Sequence, residues 1–205
     1  MKSLVPLLIV LAAASAFGVW FQRTRGEFRR KKTINGPRMS PDQIGIALGE
    51  RVTSWSMGDE VMGIVGGGSY AQRLVVHEHQ LMRIPTTVSV ADAAAIPEVW
   101  ITAFDALVAQ GGLTSGRTAL VHAGASGVGT AAIQICKALG ARVIVTASAG
   151  KLDACRELGA DLAIDYASGD FVAECISFTT GTGVDVVLDV IGGDYVDKNI
   201  ATIRV

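Results

Sequence analysis

The chain has 205 residues, half of them hydrophobic and 18% charged, and its formal net charge at pH 7 is −1. This length is typical of one or two domains, and the hydrophobic fraction is enough for a packed core. A charge balance near zero, with no basic stripe in the predicted folded part, argues against nucleic acid as a partner. Three cysteines without metal-ligand spacing indicate free buried thiols in a reducing compartment.

The first feature in chain order is an uncharged apolar segment over residues 4–21. It is long enough to cross a bilayer as a helix, and the basic residues between positions 23 and 32 predict that the following side stays in the cytoplasm. We therefore expect a cytoplasmic protein tethered to a membrane by this helix. Two alternatives stay open: a presequence cleaved near residues 14–16, or a stretch that is not native to the domain. Residues 33–43 are interpreted as a linker.

A glycine-rich turn lies between a strand predicted at residues 119–121 and a helix predicted at 130–139. The turn reads His-Ala-Gly-Ala-Ser-Gly-Val-Gly, with Gly124 and Gly129 at the outer positions of a G-x-G-x-x-G pattern and Ser126 at the middle one. Free N–H groups of a first helical turn favour an anion, and glycine lets the backbone approach a pyrophosphate. The turn predicts a phosphate site, although the pattern alone is a weak indication.

Three more strands alternate with helices after this turn. Strands predicted at residues 142–146 and 161–165 each follow a helix that ends in Leu-Gly-Ala, and a strand at 184–190 follows a helix at 171–179. Glycine just past a helix end accepts the left-handed conformation that closes it. Because alternating strands and helices imply right-handed crossovers, the predicted fold class is α/β, a partial Rossmann-type doubly wound parallel sheet of about four strands.

The residues after the second strand of this unit bear on the choice of dinucleotide. An NAD-binding unit has a carboxylate there, whereas this chain has Ser148 and Lys151, and Asp153 comes too late, inside the helix. A hydroxyl and an ammonium group suit a 2′-phosphate, so the sequence favours NADP. On residue type alone, Lys151 is equally well explained as a solvated residue of the first helical turn.

Several segments between residues 44 and 199 together resemble the zinc-free, zeta-crystallin-like quinone oxidoreductases of the medium-chain dehydrogenase/reductase superfamily. The resemblance is carried by residues 52–61, 66–71 and 93–104, the glycine turn, both Leu-Gly-Ala steps and residues 188–193. It implies three parts in the chain. Residues 1–43 are the apolar segment and linker, residues 44–94 a partial GroES-like catalytic domain, and residues 95–205 a partial Rossmann NADP-binding domain.

The resemblance implies an oxidoreductase that passes a hydride from NADPH to a quinone or related enone stacked on the nicotinamide. No residue stands out as a catalytic acid or base, which fits chemistry that belongs to the cofactor, and no metal is expected. The cofactor-binding residues that it implies are Ser126, Gly127, Val128 and Gly129 at the pyrophosphate, Ser148, Lys151 and Tyr166 around the 2′-phosphate, and Thr102 against the nicotinamide. Without the resemblance, Tyr166 is interpreted as a half-buried ring and Thr102 as an ordinary helix residue.

The chain also departs from the family that it resembles. The first half of the catalytic domain is not recognisable before residue 44, and the family continues beyond residue 199 with two more sheet strands. The strand at 184–190 is then expected at a sheet border, where its unpaired backbone groups would cause self-association. A function of another class therefore stays open: a catalytically incomplete remnant that binds nucleotide weakly, or an interaction module held at a membrane.

Overall fold

The structure of the protein is a computed structural model that describes residues 7–10, 48–67 and 73–204. The chain forms two compact units that divide between Glu98 and Val99. Residues 7–10 belong to the larger unit, together with the described residues from Val99 onward. The candidate functional residues all lie in this larger unit.

Seven strands in the described part of the chain form two sheets. In chain order they are β1 (Leu7–Val10), β2 (Val61–Gly63), β3 (Leu81–Arg83), β4 (Thr118–Val121), β5 (Arg142–Ala147), β6 (Leu162–Asp165) and β7 (Val186–Asp189). The larger unit holds a parallel sheet of order β1-β7-β4-β5-β6, and β2 pairs antiparallel with β3 in the smaller unit. The α/β class and the four predicted parallel strands are confirmed, and β1 adds a fifth.

Three helices of the larger unit lie close to their predicted places, namely 130–139, the stretch that ends in the second Leu-Gly-Ala step, and 171–179. In chain order the described α-helices are α1 (Val90–Ala93), α2 (Ile96–Phe104), α3 (Gly127–Leu139), α4 (Leu152–Glu157), α5 (Phe171–Phe178) and α6 (Tyr195–Thr202). A π-helical segment, Asp105–Gln110, continues α2. The glycines of the two Leu-Gly-Ala steps, Gly140 and Gly159, have φ values of 71° and 108°, which confirms the expected positive φ there.

The central strands β4 and β7 are buried along their whole length. Alternate residues enter two apolar clusters, with Leu120 and Val187 on the side of α5, and Val121 and Leu188 on the side of α3. Strands that are apolar on both faces are expected where helices cover both sides of a parallel sheet. Each fully buried aliphatic side chain contributes about 1.5–3 kcal/mol, so this core fixes the carboxyl ends of the strands, where the candidate site lies.

Strand β1 corrects two expectations from the sequence. It pairs in parallel with β7, so that Leu7 lies opposite Val186 and Val10 opposite Asp189. Residues 7–10 are therefore a strand and not part of a bilayer-spanning helix, and β7 is not a border strand. A short apolar run cannot be assigned to helix or strand by periodicity, and here the backbone groups of β7 provide the pairing partners.

The rest of the apolar segment, residues 4–6 and 11–21, lies outside the described residues, as do the basic stretch and the linker. Among the helices that the structure describes, none is both long enough and apolar enough to cross a bilayer.

Candidate dinucleotide-binding site

The glycine turn joins the end of β4 to the start of α3 and leaves two amides available. Ser126 caps the helix, because its hydroxyl accepts a hydrogen bond from the N–H of Gly129 at 3.0 Å and its carbonyl accepts one from Thr130 at 2.8 Å. The N–H groups of Gly127 and Val128 donate no hydrogen bond within the described part of the chain. Two available donors at the positive end of a helix dipole form a site for an anion.

Close backbone packing explains the outer glycines of the turn. A Cβ on Gly124 would lie 2.5 Å from Cβ of Val145 on β5, and a Cβ on Gly129 would lie 2.6 Å from Cα of Gly124 and would also overlap the carbonyl oxygen of Ala123. Ala123 itself has a φ of 53°, in a region that costs a residue with a side chain about 1–2 kcal/mol. Gly124 and Gly129 are thus required by the shape of the turn, and this role stands in addition to the pyrophosphate contact predicted for Gly129.

Helix α2 lies beside the start of α3. A Cβ on Gly127 would come within 2.9 Å of Cγ1 of Val99, and Val99 and Val128 both pack against the larger apolar cluster. Thr102 is half-buried on α2, three residues after Val99 and therefore on the same face of that helix. The structure brings Thr102 to within one helical turn of the residue that packs on the glycine turn.

The three residues expected around the 2′-phosphate follow the carboxyl ends of β5 and β6. Ser148 directly follows β5, and its carbonyl accepts a hydrogen bond from the N–H of Lys151 at 2.9 Å. Tyr166 directly follows β6, and its N–H donates to the carbonyl of Ala147 at 3.2 Å, so its backbone lies beside that of Ser148. Lys151 is exposed and Tyr166 is 54% exposed, which agrees with the half-buried ring of the alternative interpretation and still leaves part of the ring accessible. A hydroxyl, an ammonium and a phenol group are therefore available at one edge.

A groove with a volume of about 280 Å³ opens beside Tyr166. It is lined by Tyr166, Gly169, Asp170, Phe171, Tyr195 and Lys198. The rings of Phe171 and Tyr195 are stacked, with centroids 5.4 Å apart and planes 20° apart. The stacked pair gives one side of the groove an aromatic surface, and no pattern in the sequence indicates that α6 contributes to it.

His122, the first residue of the glycine turn, is buried, and both of its ring nitrogens have a hydrogen-bond partner. Its Nδ1 lies 2.8 Å from the hydroxyl of Thr146, and its Nε2 lies 2.7 Å from the side-chain oxygen of Asn199. The ring also makes edge contacts with Phe171 and Tyr195. Burial lowers the pKa of His122, while Asn199 and the nearby carboxylate of Asp189 act in the opposite direction.

Sequence reasoning missed the other members of this network. The amide nitrogen of Asn199 donates to Oδ2 of Asp189 at 2.9 Å, and Oδ1 of Asp189 accepts from the N–H groups of Ile191 at 2.7 Å and Gly192 at 3.0 Å. A carboxylate at the end of an otherwise apolar buried strand is a signal that could have pointed to Asp189. Asn199 lies on α6, and nothing in its sequence context indicates a buried partner.

The three cysteines are free and buried, as the sequence predicted. Cys136, Cys155 and Cys175 are free and buried on α3, α4 and α5, and burial raises the pKa values of Cys136 and Cys175 to about 12. Within the described ranges, no group of three or more His, Cys, Asp or Glu residues is arranged to hold a metal ion.

Comparison with known proteins agrees with this geometry. Residues 127–205 match the family model described as "zinc-binding dehydrogenase". A phenolphthiocerol synthesis polyketide synthase of Mycobacterium bovis is 40% identical over 172 residues, which are 80% of this chain and 8% of the relative. The human synaptic vesicle membrane protein VAT-1 homolog is 38% identical over 163 residues, which are 79% of this chain and 41% of the relative.

Three solved oxidoreductase or NADPH-bound structures are similar to this chain in fold as well as in sequence. The CurK enoyl reductase has a TM-score of 0.71 at 33% identity, over 78% of this chain and 48% of that chain. A quinone oxidoreductase of Pseudomonas syringae has a TM-score of 0.69 at 32% identity, over 78% and 50%. A mycobacterial protein in complex with NADPH has a TM-score of 0.70 at 32% identity, over 80% and 52%.

The matches share one architecture and differ in coverage. The chain spans about half the length of these solved structures and less than half the length of the two curated relatives. The similarities nevertheless agree with the parallel sheet, the glycine turn and the helix that begins at Gly127. Over the matched residues, the chain is therefore similar to the dehydrogenases and reductases that the family model and these solved structures represent.

Proposed function

We propose that the chain binds NADPH at the carboxyl edge of its parallel sheet, as part of an oxidoreductase that reduces a quinone or a related enone. The observation that carries the proposal is the pair of available amides at the start of α3, from Gly127 and Val128. They provide the donors that a pyrophosphate needs at a helix N-terminus. The solved NADPH complex among the similar structures supports this choice of ligand.

The residues around the glycine turn fit a phosphorylated dinucleotide. The hydroxyl of Ser148 makes no capping hydrogen bond, and the exposed ammonium of Lys151 follows within the same turn. These groups would bind the 2′-phosphate, while Tyr166 would lie beside it. Thr102 would orient the nicotinamide from α2. The bound cofactor supplies the hydride, and the protein binds and orients the reactants.

The acceptor is proposed by its chemistry. Quinones, enones and enoyl thioesters share an electron-poor π-system conjugated to a carbonyl group, which can accept a hydride. The relatives include both a quinone oxidoreductase and an enoyl reductase, so the proposed class spans both kinds of acceptor. The rival function is nucleotide binding without turnover, which the same pair of available amides would support.

A cofactor titration with matched lysine variants tests the proposal. NADPH and NADH are titrated by fluorescence into the wild-type protein, Lys151→Ala and Lys137→Ala. Lys137 is the control, because it lies at the other end of α3 in an ion pair with Asp161 at 2.8 Å. A charged contact with the phosphate contributes about 1.5–3 kcal/mol, roughly tenfold or more in affinity. Lys151→Ala should therefore lose most of the preference for NADPH, and Lys137→Ala should keep it.

The outcomes separate the rival functions. Equal affinity of the wild-type protein for NADPH and NADH would contradict the choice of cofactor. NADPH oxidation is then followed with a quinone, a simple enone and an enoyl thioester. Tight binding without oxidation by any of these acceptors would favour the nucleotide-binding remnant over the oxidoreductase.

A further inference from the structure

A continuous chain of buried hydrogen bonds links two turns at the carboxyl edge of the sheet. It runs from Thr146 through His122 and Asn199 to Asp189, with distances of 2.8, 2.7 and 2.9 Å. All four residues are at most 2% exposed. None of them is among the residues proposed to contact the cofactor.

The chemistry of its last member fixes the direction of every bond in this chain. The NH₂ group of Asn199 donates to Asp189, so the side-chain oxygen of Asn199 faces His122 and can only accept. The Nε2 atom of His122 must then carry the proton that is donated to Asn199. Nδ1 of the neutral ring is left as an acceptor, and it receives the hydroxyl proton of Thr146.

Both ends of the chain are attached to backbone turns. At one end, the carbonyl of Thr146 accepts the N–H of Gly124 in the glycine turn at 2.9 Å. At the other end, the carboxylate of Asp189 accepts the N–H groups of Ile191 and Gly192 in the turn after β7. Because β4 and β7 are neighbours in the sheet, these two turns follow the ends of adjacent strands.

We propose that Thr146, His122, Asn199 and Asp189 are positioning residues, which hold the glycine turn and the turn after β7 in the geometry that binds the dinucleotide. The proposal rests on the proposed function, since the ligand is the same NADPH. It extends that function to a buried network and to α6, which carries Asn199. The strained φ of Ala123 shows that the glycine turn needs such support, because strained backbone persists only where its surroundings determine it.

This role is tested with matched Thr→Val substitutions, one at the carboxyl edge of the parallel sheet and one at its amino edge. Thr146→Val keeps the shape of the side chain and removes the donor to His122, and Asn199→Leu interrupts the chain at its centre. Thr179→Val is the control. Thr179 is equally buried, donates to the carbonyl of Cys175 at 2.7 Å and accepts the N–H of Gly183 at 2.9 Å, but it lies before the amino end of β7.

Two readouts are compared among folded variants, namely the NADPH dissociation constant and backbone amide hydrogen exchange without ligand. A merely structural role would lower the melting temperature of all variants and leave both readouts as in the control. The loss of one buried hydrogen bond between positioned groups should weaken NADPH binding about fivefold to tenfold in Thr146→Val and Asn199→Leu. The hydrogen-bonded amides of the two turns should exchange faster in these two variants and not in Thr179→Val; they are those of Gly124, Ser126, Ile191 and Gly192.

NADPH affinity and amide exchange together distinguish a failure of the positioning role from a failure of the proposed NADPH binding. If the wild-type protein binds NADPH and Thr146→Val matches Thr179→Val in both affinity and exchange, the positioning role is overturned and the proposed function stands. If the wild-type protein binds no NADPH, the proposed function fails. The role in positioning the turns for NADPH then fails with it, and faster exchange confined to the two turns would show only that the network supports those turns.

Discussion

The substitution Gly129→Ala should damage the fold itself. A Cβ at this position would lie 2.6 Å from Cα of Gly124 and would overlap the carbonyl oxygen of Ala123. Both neighbours are backbone atoms of the glycine turn, so neither can rotate away as a flexible side chain would. The turn or the first turn of α3 must therefore shift.

The magnitude follows from the nature of these contacts. Overpacking by one methyl group in a filled interior costs about 1–3 kcal/mol, and occasionally more. Since the contacts of Gly129 are with backbone on a strained turn, we expect a loss at the upper end, about 3 kcal/mol. A native domain has a stability of about 5–15 kcal/mol, so the variant should keep roughly 2–12 kcal/mol and unfold at a lower urea concentration than the wild type.

Urea denaturation followed by circular dichroism measures the loss, and Gly150→Ala is the matched control. A Cβ at Gly150 meets no atom within 4 Å, so that this variant should be neutral or up to about 1 kcal/mol more stable. A Gly129→Ala protein within about 0.5 kcal/mol of the wild type would refute the argument. It would mean that the turn is not packed as closely as the structure shows.

Three further predictions concern pH, the sheet edge and the thiols. Burial lowers the pKa of His122 below its ordinary value of 6.5, so below that pH the unfolded chain binds more protons than the folded chain. The free energy of unfolding should therefore fall by up to about 1.4 kcal/mol per pH unit from pH 6.5 downward. A fall of equal slope in His122→Gln would contradict this assignment. Deleting residues 1–16 removes β1 and exposes the edge of β7, so the shortened chain should elute at higher mass than the full chain in size-exclusion chromatography; unchanged elution would show that β1 does not protect the edge. Cys136 and Cys175, with pKa values of about 12, should react with a thiol reagent only after unfolding, and rapid labelling of the native protein would contradict their burial.

The larger unit was predictable because its signals are local. Apolar strands alternate with helices, and each Leu-Gly-Ala step places a glycine where φ is positive, as at Gly140 and Gly159. Capping by Ser126 likewise depends on residues three positions apart. Local patterns of this kind survive into the folded state because tertiary packing supports the same conformations.

The features that escaped prediction depend on contacts between distant parts of the chain. Strand β1 pairs with a strand about 180 residues later, and a run of four apolar residues does not indicate which strand it pairs with. Asn199 is 77 positions from His122, and only the fold brings their side chains together. In the candidate site, the sequence indicated the turn and its flanking polar residues but not the buried network beneath them.

The most direct test of the account is an amide NMR titration of the isotope-labelled protein with NADPH. We expect the resonances of Gly127 and Val128 to move most, together with those of residues 148–151 and Tyr166, because these groups are proposed to bind the pyrophosphate and the 2′-phosphate. An equal titration with NADH should move the glycine turn and leave residues 148–151 nearly unchanged. No shift at Gly127 and Val128, or shifts confined to another part of the chain, would contradict the account.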